Sequence, residues 1–147
     1  MTDMPDWPAP TGTGNFPGND RYVSSLPSLT LAYIGDAVFE LFIRVMLLRQ
    51  GSTKVTTLHN ATIKRVRAAA QADFLRVIEP LLTEEEKNVV RRGRNAKVVR
   101  TPKNADIQTY HYSTALEALI GYLYLLGRTD RLLYLLGQNG AAPKSGE

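Results

Sequence analysis

Two acidic side chains lie within otherwise apolar segments of this sequence, and they are its first candidates for chemistry. Asp36 belongs to Leu-Ala-Tyr-Ile-Gly-Asp-Ala-Val-Phe-Glu (31–40), and Glu117 belongs to Ser-Thr-Ala-Leu-Glu-Ala-Leu-Ile-Gly-Tyr-Leu-Tyr (113–124). A lone carboxylate among apolar groups is destabilising unless it is paired, protonated or bound to a cation. We therefore expect the two acids to share one metal site, although each could instead pair with an arginine or cap a neighbouring helix.

Small residues accompany both acids and favour a close approach of the two segments. Gly35 directly precedes Asp36, and Gly121 lies one helical turn after Glu117. Glycine lets two helix backbones approach closely, so both carboxylates could reach one divalent ion. Mg²⁺ is commonly held by one or two carboxylates together with waters and phosphate oxygens. Such an ion lowers the pKa of a bound water and neutralises charge on a phosphodiester.

Glu40 lies four residues after Asp36, on the same predicted helix face. One interpretation is that its carboxylate orients a water of the metal site from just outside the ligand set. The alternative is an ordinary ion pair with Arg44, one turn further along the helix and in the favourable orientation.

A basic strip separates the two acidic segments. Between residues 91 and 103 there are six cationic side chains and no acidic one. They are Arg91, Arg92, Arg94, Lys97, Arg100 and Lys103. Most charge runs are solvated surface, but this one extends into a long connection, 94–107, and long connections within compact domains are commonly functional. The pattern favours contact with phosphate groups.

Composition limits the classes of protein to which the chain can belong. Its 147 residues fit one domain with a substantial core, and its net charge is +4. Cysteine is absent, which excludes disulfides and thiolate metal sites and suits a reducing cytoplasm. The longest apolar stretch, 118–126, is much shorter than the roughly 20 residues that cross a bilayer. Residues 1–27 have the composition of a disordered or loosely packed tail rather than of a signal peptide.

Beyond that tail, apolar residues recur at the three- and four-residue spacing of helices, and no strand pattern competes. The predicted helices cover 29–49, 61–78, 83–93, 109–126 and 130–136. Ser28 is the expected cap of the first helix, and Thr83 with Glu86 forms a capping-box signature at the third. We predict an all-α fold with one helical domain at 28–137 and a flexible C-terminal tail at 138–147.

Both acidic segments match known motifs in order and spacing. Residues 31–40 resemble the ribonuclease III signature, in which an Asp follows Leu-Gly and precedes Ala-Val, and 117–124 resemble that family's Glu-Ala-Leu-Ile-Gly-Ala-Ile-Tyr motif. Arg-Arg-Gly-Arg-Asn-Ala-Lys (91–97) and Pro-Lys-Asn-Ala-Asp (102–106) are similar to Mini-ribonuclease III. This short branch has a nuclease domain and no double-stranded-RNA-binding domain. The resemblance covers about 29–136.

The resemblance implies an all-helical nuclease domain that forms a homodimer with a valley for double-stranded RNA. It implies Mg²⁺-dependent endonucleolytic hydrolysis, with Mn²⁺ able to substitute, and it assigns Asp36 and Glu117 to the principal catalytic and metal-binding positions. The implied substrate is the base-paired ends of the large-subunit (23S) ribosomal RNA precursor, which a ribosomal protein could present. The RNA backbone would then be held by Arg94, Lys97, Arg100, Lys103 and Asn104.

Two positions depart from the classical family pattern. Ala32 stands where classical ribonuclease III has a Glu, and Thr114 stands where it has an Asp, so the acidic cluster is halved. The Mini branch shares this reduction, which implies weaker metal binding rather than loss of activity. A non-catalytic RNA-binding or ribosome-assembly module remains the alternative, and a helical protein-interaction domain with an incidental basic strip is a third.

Overall fold

Seven α-helices account for most of the residues that the computed structural model describes, 19–97 and 106–139. They are α1 (Asn19–Ser25), α2 (Ser28–Arg49), α3 (Val55–Val66), α4 (Ala68–Ile78), α5 (Glu84–Arg94), α6 (Ile107–Leu125) and α7 (Thr129–Leu136). A single 3₁₀ turn, Glu79–Leu81, joins α4 to α5. Within these two ranges no strand occurs, so the all-α prediction is confirmed.

Helix α6 lies at the centre of the domain, because its side chains are apolar around most of its circumference. Ala115, Leu116, Leu119 and Leu123 are all fully buried, and helices α2, α4 and α5 pack around them. Such a helix is stable only when neighbours cover it on several sides. Among the described helices none is both long and apolar enough to span a membrane.

The single helix predicted over 61–78 is wrong, because the chain breaks it at Arg67. Arg67 has extended backbone angles (φ −68°, ψ 158°), so α3 ends at Val66 and α4 begins at Ala68. Neither glycine nor proline marks this position in the sequence. The side-chain amide of Gln71 donates to the Val66 carbonyl at 2.8 Å and so replaces a helical hydrogen bond that the break removes.

Two further differences concern the N-terminal segment. Residues 19–25, predicted as part of a tail, form α1, and Val23 is fully buried in the core. The rest of that predicted tail, 1–18, lies outside the described residues. Pro27, rather than Ser28, is the N-cap residue of α2, and it makes no side-chain capping bond.

The capping box predicted at the start of α5 is confirmed. The Thr83 hydroxyl accepts a hydrogen bond from the Glu86 amide at 3.2 Å, and the Glu86 carboxylate accepts one from the Thr83 amide at 2.9 Å. The same carboxylate also accepts from Arg131 at 2.9 Å, which ties α7 to the start of α5. At the other end of the domain, the predicted tail begins in a turn at Gln138, and 140–147 lie outside the described residues.

Candidate active site

Helices α2 and α6 touch backbone to backbone at a pair of glycines. A Cβ atom added to Gly35 would lie 1.7 Å from the carbonyl oxygen of Glu117, and one added to Gly121 would lie 2.0 Å from the carbonyl oxygen of Leu31. Separations this small leave no room for any side chain at either position. The close approach expected from the sequence is therefore present, and it sets the spacing of the acids that flank it.

The crossing brings Asp36 and Glu117 together but gives them different exposures. Glu117 is partly buried beneath α2, whereas Asp36 is exposed, which corrects the expectation that both acids sit among apolar groups. The reason lies in α2, whose apolar pattern continues onto its outer face. Tyr33 is 78% exposed and Leu48 is 50% exposed, so the helix is not buried all round as its composition indicates.

The two carboxylates interact directly. Burial and the negative charge of Asp36 raise the pKa of Glu117 to about 8, and a hydrogen bond between the two acids contributes. The amide of Gln71 on α4 donates to Glu117 Oε2 at 3.2 Å and partly opposes this rise in pKa. Among the described residues, no Lys or Arg forms an ion pair with Asp36 or Glu117. Within the described part of the chain, the alternative in which each acid pairs with an arginine is therefore not observed.

The raised pKa of Glu117 predicts a pH-dependent stability in the absence of metal. Between its ordinary value of 4.5 and about 8, the folded state holds a proton that the unfolded chain has lost. The free energy of unfolding therefore falls as pH rises from 4.5 to about 8, and the whole decrease is present at higher pH. We expect Glu117→Gln to remove this decline and to raise the free energy of unfolding at high pH by on the order of 2 kcal/mol.

Urea unfolding in the presence of a chelator, at about pH 5.5 and about pH 8.5, measures the effect. The comparison of Glu117→Gln with the parent protein cancels the contributions of titrating groups that do not interact with Glu117. Parallel pH profiles for the two proteins would show that Glu117 ionises normally in the folded state.

The residues at the crossing fit a divalent cation of the Mg²⁺ class. Two adjacent carboxylates repel each other when both are ionised, and a bound cation removes that repulsion. Within the described ranges, no set of three or more acids or histidines forms a larger site. The two departures from the classical pattern, Ala32 and Thr114, are both buried in the helix packing. The residues present therefore supply a two-carboxylate site.

Glu40 is engaged by Arg44. The Arg44 guanidinium donates to Glu40 Oε2 from Nη2 at 2.5 Å and from Nε at 3.0 Å. This is the ion pair that was the alternative interpretation of Glu40. A role for Glu40 in orienting a metal-site water stays a prediction.

The structure describes two of the five residues predicted to contact RNA. Arg94 ends α5, with its guanidinium 5.6 Å from the centre of the Tyr112 ring, and Lys97 is exposed two residues beyond the helix cap. Arg94 also lines an open, polar pocket of about 410 Å³ at the start of α6. The remaining three, Arg100, Lys103 and Asn104, lie outside the described residues.

Gln71 is the site residue that sequence reasoning missed. It is 2% exposed and contacts Glu117 from a third helix, α4. Its signal in the sequence is slight: a single amide in the run Ala-Ala-Ala-Gln-Ala (68–72), where the neighbours are small and apolar. Such a residue is noticeable only once α4 is known to pack against α6.

Comparison with known proteins identifies the family of this chain. The ribonuclease III domain family matches residues 29–128. A Mini-ribonuclease 3 of Thermoanaerobacter sp. (strain X514) is 51% identical over 114 residues, which cover 78% of this chain and 80% of that protein. A Mini-ribonuclease 3 of Symbiobacterium thermophilum is 52% identical over 112 residues, which cover 76% of this chain and 86% of that protein. The crystal structure of protein FN1578 from Fusobacterium nucleatum matches with a TM-score of 0.71 and 32% sequence identity. The match covers 79% of this chain and 93% of that chain. The family resemblance inferred from the sequence is thus confirmed, and this chain belongs to the ribonuclease III family, among the Mini-ribonuclease 3 proteins.

Proposed function

We propose that this chain is a Mg²⁺-dependent endoribonuclease that cleaves double-stranded RNA and matures the base-paired ends of the 23S ribosomal RNA precursor. Family membership carries the coarser part, that the chain is an endoribonuclease of the ribonuclease III type. The proposed dependence on a divalent ion is supported by one observation above all: Asp36 and Glu117 meet at a glycine crossing, and among the described residues no Lys or Arg pairs with either acid.

In this proposal, Asp36 and Glu117 hold the divalent ion, Mg²⁺ or Mn²⁺. When bound, the ion neutralises charge on the phosphodiester and lowers the pKa of a water. Glu117, partly buried, fixes the position of the site relative to the core, while Asp36, exposed, faces the RNA. Because Glu117 retains a proton near neutral pH in the metal-free protein, we expect ion binding to release that proton.

The test of the proposed function is cleavage of labelled RNA by the purified protein. Duplex RNA, single-stranded RNA and the paired ends of precursor 23S ribosomal RNA are compared with Mg²⁺, with Mn²⁺ and with chelator. We expect cleavage of the duplexes only when a divalent ion is present. Duplex binding without any ion-dependent product would support the non-catalytic module instead. Cells lacking the protein should accumulate uncleaved precursor ends if the ribosomal substrate is correct.

The basic strip supports RNA binding through contacts with the phosphate backbone of the RNA rather than with its bases. A-form duplexes are recognised mainly by shape, 2′-hydroxyl groups and phosphates, and Arg94 and Lys97 present cations at the end of α5. A single small domain makes few phosphate contacts, so its affinity for RNA should be low at physiological salt. A ribosomal protein that presents the RNA would compensate for this weak binding.

Neutralising Arg94 and Lys97 together should weaken the binding of RNA whatever the RNA sequence. Each lost phosphate contact removes about 0.9 from the slope of log K against log salt concentration, so Arg94→Gln with Lys97→Gln should reduce that slope by about 2. Fluorescence anisotropy at a series of salt concentrations measures it. The matched control removes two exposed cations elsewhere, Arg21→Gln with Lys54→Gln. Equal slopes for the two double variants would exclude a special role for the end of α5.

Homodimer formation is supported by exposed apolar surface on α2 and α3. Tyr33 and Val55 are 78% and 76% exposed, and an apolar pocket of about 530 Å³ opens between the two helices beside Leu48 and Leu58. Exposed apolar surface such as this pocket commonly marks a protein–protein interface. Sedimentation equilibrium decides the point, since a monomeric mass at working concentration would contradict the proposed dimer. We place the enzyme in the cytoplasm, with its ribosomal substrate, which cell fractionation can check.

A further inference from the structure

Gln71 connects the acidic pair to the junction of α3 and α4. Its side chain is 2% exposed, and its amide nitrogen donates to two acceptors, the Val66 carbonyl at 2.8 Å and Glu117 Oε2 at 3.2 Å. Its own backbone amide donates to the Arg67 carbonyl at 3.0 Å. Gln71 therefore makes hydrogen bonds both to the backbone at the α3–α4 break and to a carboxylate oxygen of Glu117.

The other end of the same amide is not satisfied. Gln71 Oε1 is buried and accepts no hydrogen bond from the described residues. Reversing the amide would not help, because its oxygen would then face the Val66 carbonyl, which is itself only an acceptor. A buried acceptor without a partner is destabilising. The presence of Gln71 at this buried position therefore needs an explanation other than stability.

The chemistry of the amide suggests what that reason is. A Lys or Arg at this position would form an ion pair with Glu117 and compete with a divalent ion for the carboxylate. An amide N–H donates without a positive charge, so it fixes the direction of one carboxylate oxygen and leaves the negative charge available. Donors of this kind, which orient metal ligands, contribute substantially to metal affinity.

We propose that Gln71 is a positioning residue that orients Glu117 for the divalent ion and sets the site against the α3–α4 junction. This inference rests on the proposed function, because it assumes that Asp36 and Glu117 are the metal ligands. Through its side-chain bond to the Val66 carbonyl and its backbone bond to the Arg67 carbonyl, Gln71 also holds the helix break at the exposed Arg67.

The test is Mn²⁺ binding followed by electron paramagnetic resonance, with the free ion as the signal and no RNA present. Gln71→Met keeps the length of the side chain and removes both N–H donors. We expect its dissociation constant for Mn²⁺ to rise about 10–100-fold. Gln71→Asn, which keeps an amide but is too short to span both acceptors, should also bind Mn²⁺ more weakly, and it provides a second variant if Gln71→Met does not fold.

The matched control is Thr62→Val. Thr62, on α3, is also buried, 4% exposed, and its hydroxyl donates to the Leu58 carbonyl at 2.8 Å rather than to either acid. It should lower stability and leave Mn²⁺ affinity unchanged, which separates positioning from packing. Glu117→Gln is the reference for loss of the site. If Glu117→Gln loses Mn²⁺ and Gln71→Met binds it like the parent protein, only the inference about Gln71 is overturned. If Glu117→Gln binds Mn²⁺ normally, the assigned site fails and the inference fails with it.

Discussion

Asp36→Asn should abolish ion-dependent RNA cleavage while leaving the fold intact. The substitution keeps the size of the side chain and removes one of the two charges that hold the ion. A bound ion stabilises the transition state by several kcal/mol, so its loss corresponds to a decrease in kcat/KM of about 10³-fold or more. The free energy of unfolding should not fall, because Asp36 is exposed and forms no ion pair among the described residues.

Cleavage of a labelled duplex at saturating Mg²⁺, together with urea unfolding, measures both halves of this expectation. Asp73→Asn is the matched control, since Asp73 is an exposed acid on α4 whose ion-pair partner is Arg76. Its cleavage rate should equal that of the parent protein. Retained activity in Asp36→Asn, with the control also active, would remove Asp36 from the site.

Gly35→Ala and Gly121→Ala should each unfold or strongly destabilise the domain. The new methyl group would lie within about bond length of a carbonyl oxygen on the facing helix, at 1.7 Å or 2.0 Å. Alanine favours a helix over glycine by about 0.5–1 kcal/mol, but moving two helix backbones apart costs more. Overpacking in a core usually costs 1–3 kcal/mol. Because a backbone carbonyl cannot rotate away, we expect about 3 kcal/mol or more here.

Urea midpoints report this loss, and Ala37→Ser, which adds one atom at an exposed position on α2, is the control. The control should change stability by less than about 0.5 kcal/mol. Any glycine variant that still folds should bind Mn²⁺ poorly, because separating the helices separates Asp36 from Glu117. A stable Gly35→Ala protein with normal Mn²⁺ affinity would mean that the crossing is looser than the structure indicates.

The meeting of the two acids could be predicted from sequence because glycine has an unambiguous steric meaning inside an apolar helix. Gly35 and Gly121 each sit within one turn of an acid, and a close helix crossing is the arrangement that uses both. The capping box at Thr83 was predictable for a similar reason, since both of its hydrogen bonds form between residues three apart. Local chemistry of this kind depends little on the rest of the fold.

The break at Arg67 and the position of Gln71 could not be predicted. No residue type near 67 opposes a helix, and the carbonyl freed at Val66 is satisfied by a side chain whose other partner is 46 positions away along the chain. The exposure of Asp36 was missed because apolar composition alone does not say which face a partner covers. The outer face of α2 carries Tyr33 and Leu48, which look like core residues in the sequence.

By itself, the sequence determined the all-α class, the acids available for a metal site and the glycines that let their helices touch. These follow from residue type and spacing within single helices. The tertiary structure alone decided that Glu117 is partly buried with a pKa raised to about 8 while Asp36 is exposed, and that Gln71 reaches Glu117. Burial, charge proximity and contacts between distant helices depend on how α2, α4 and α6 pack together, which no local pattern encodes.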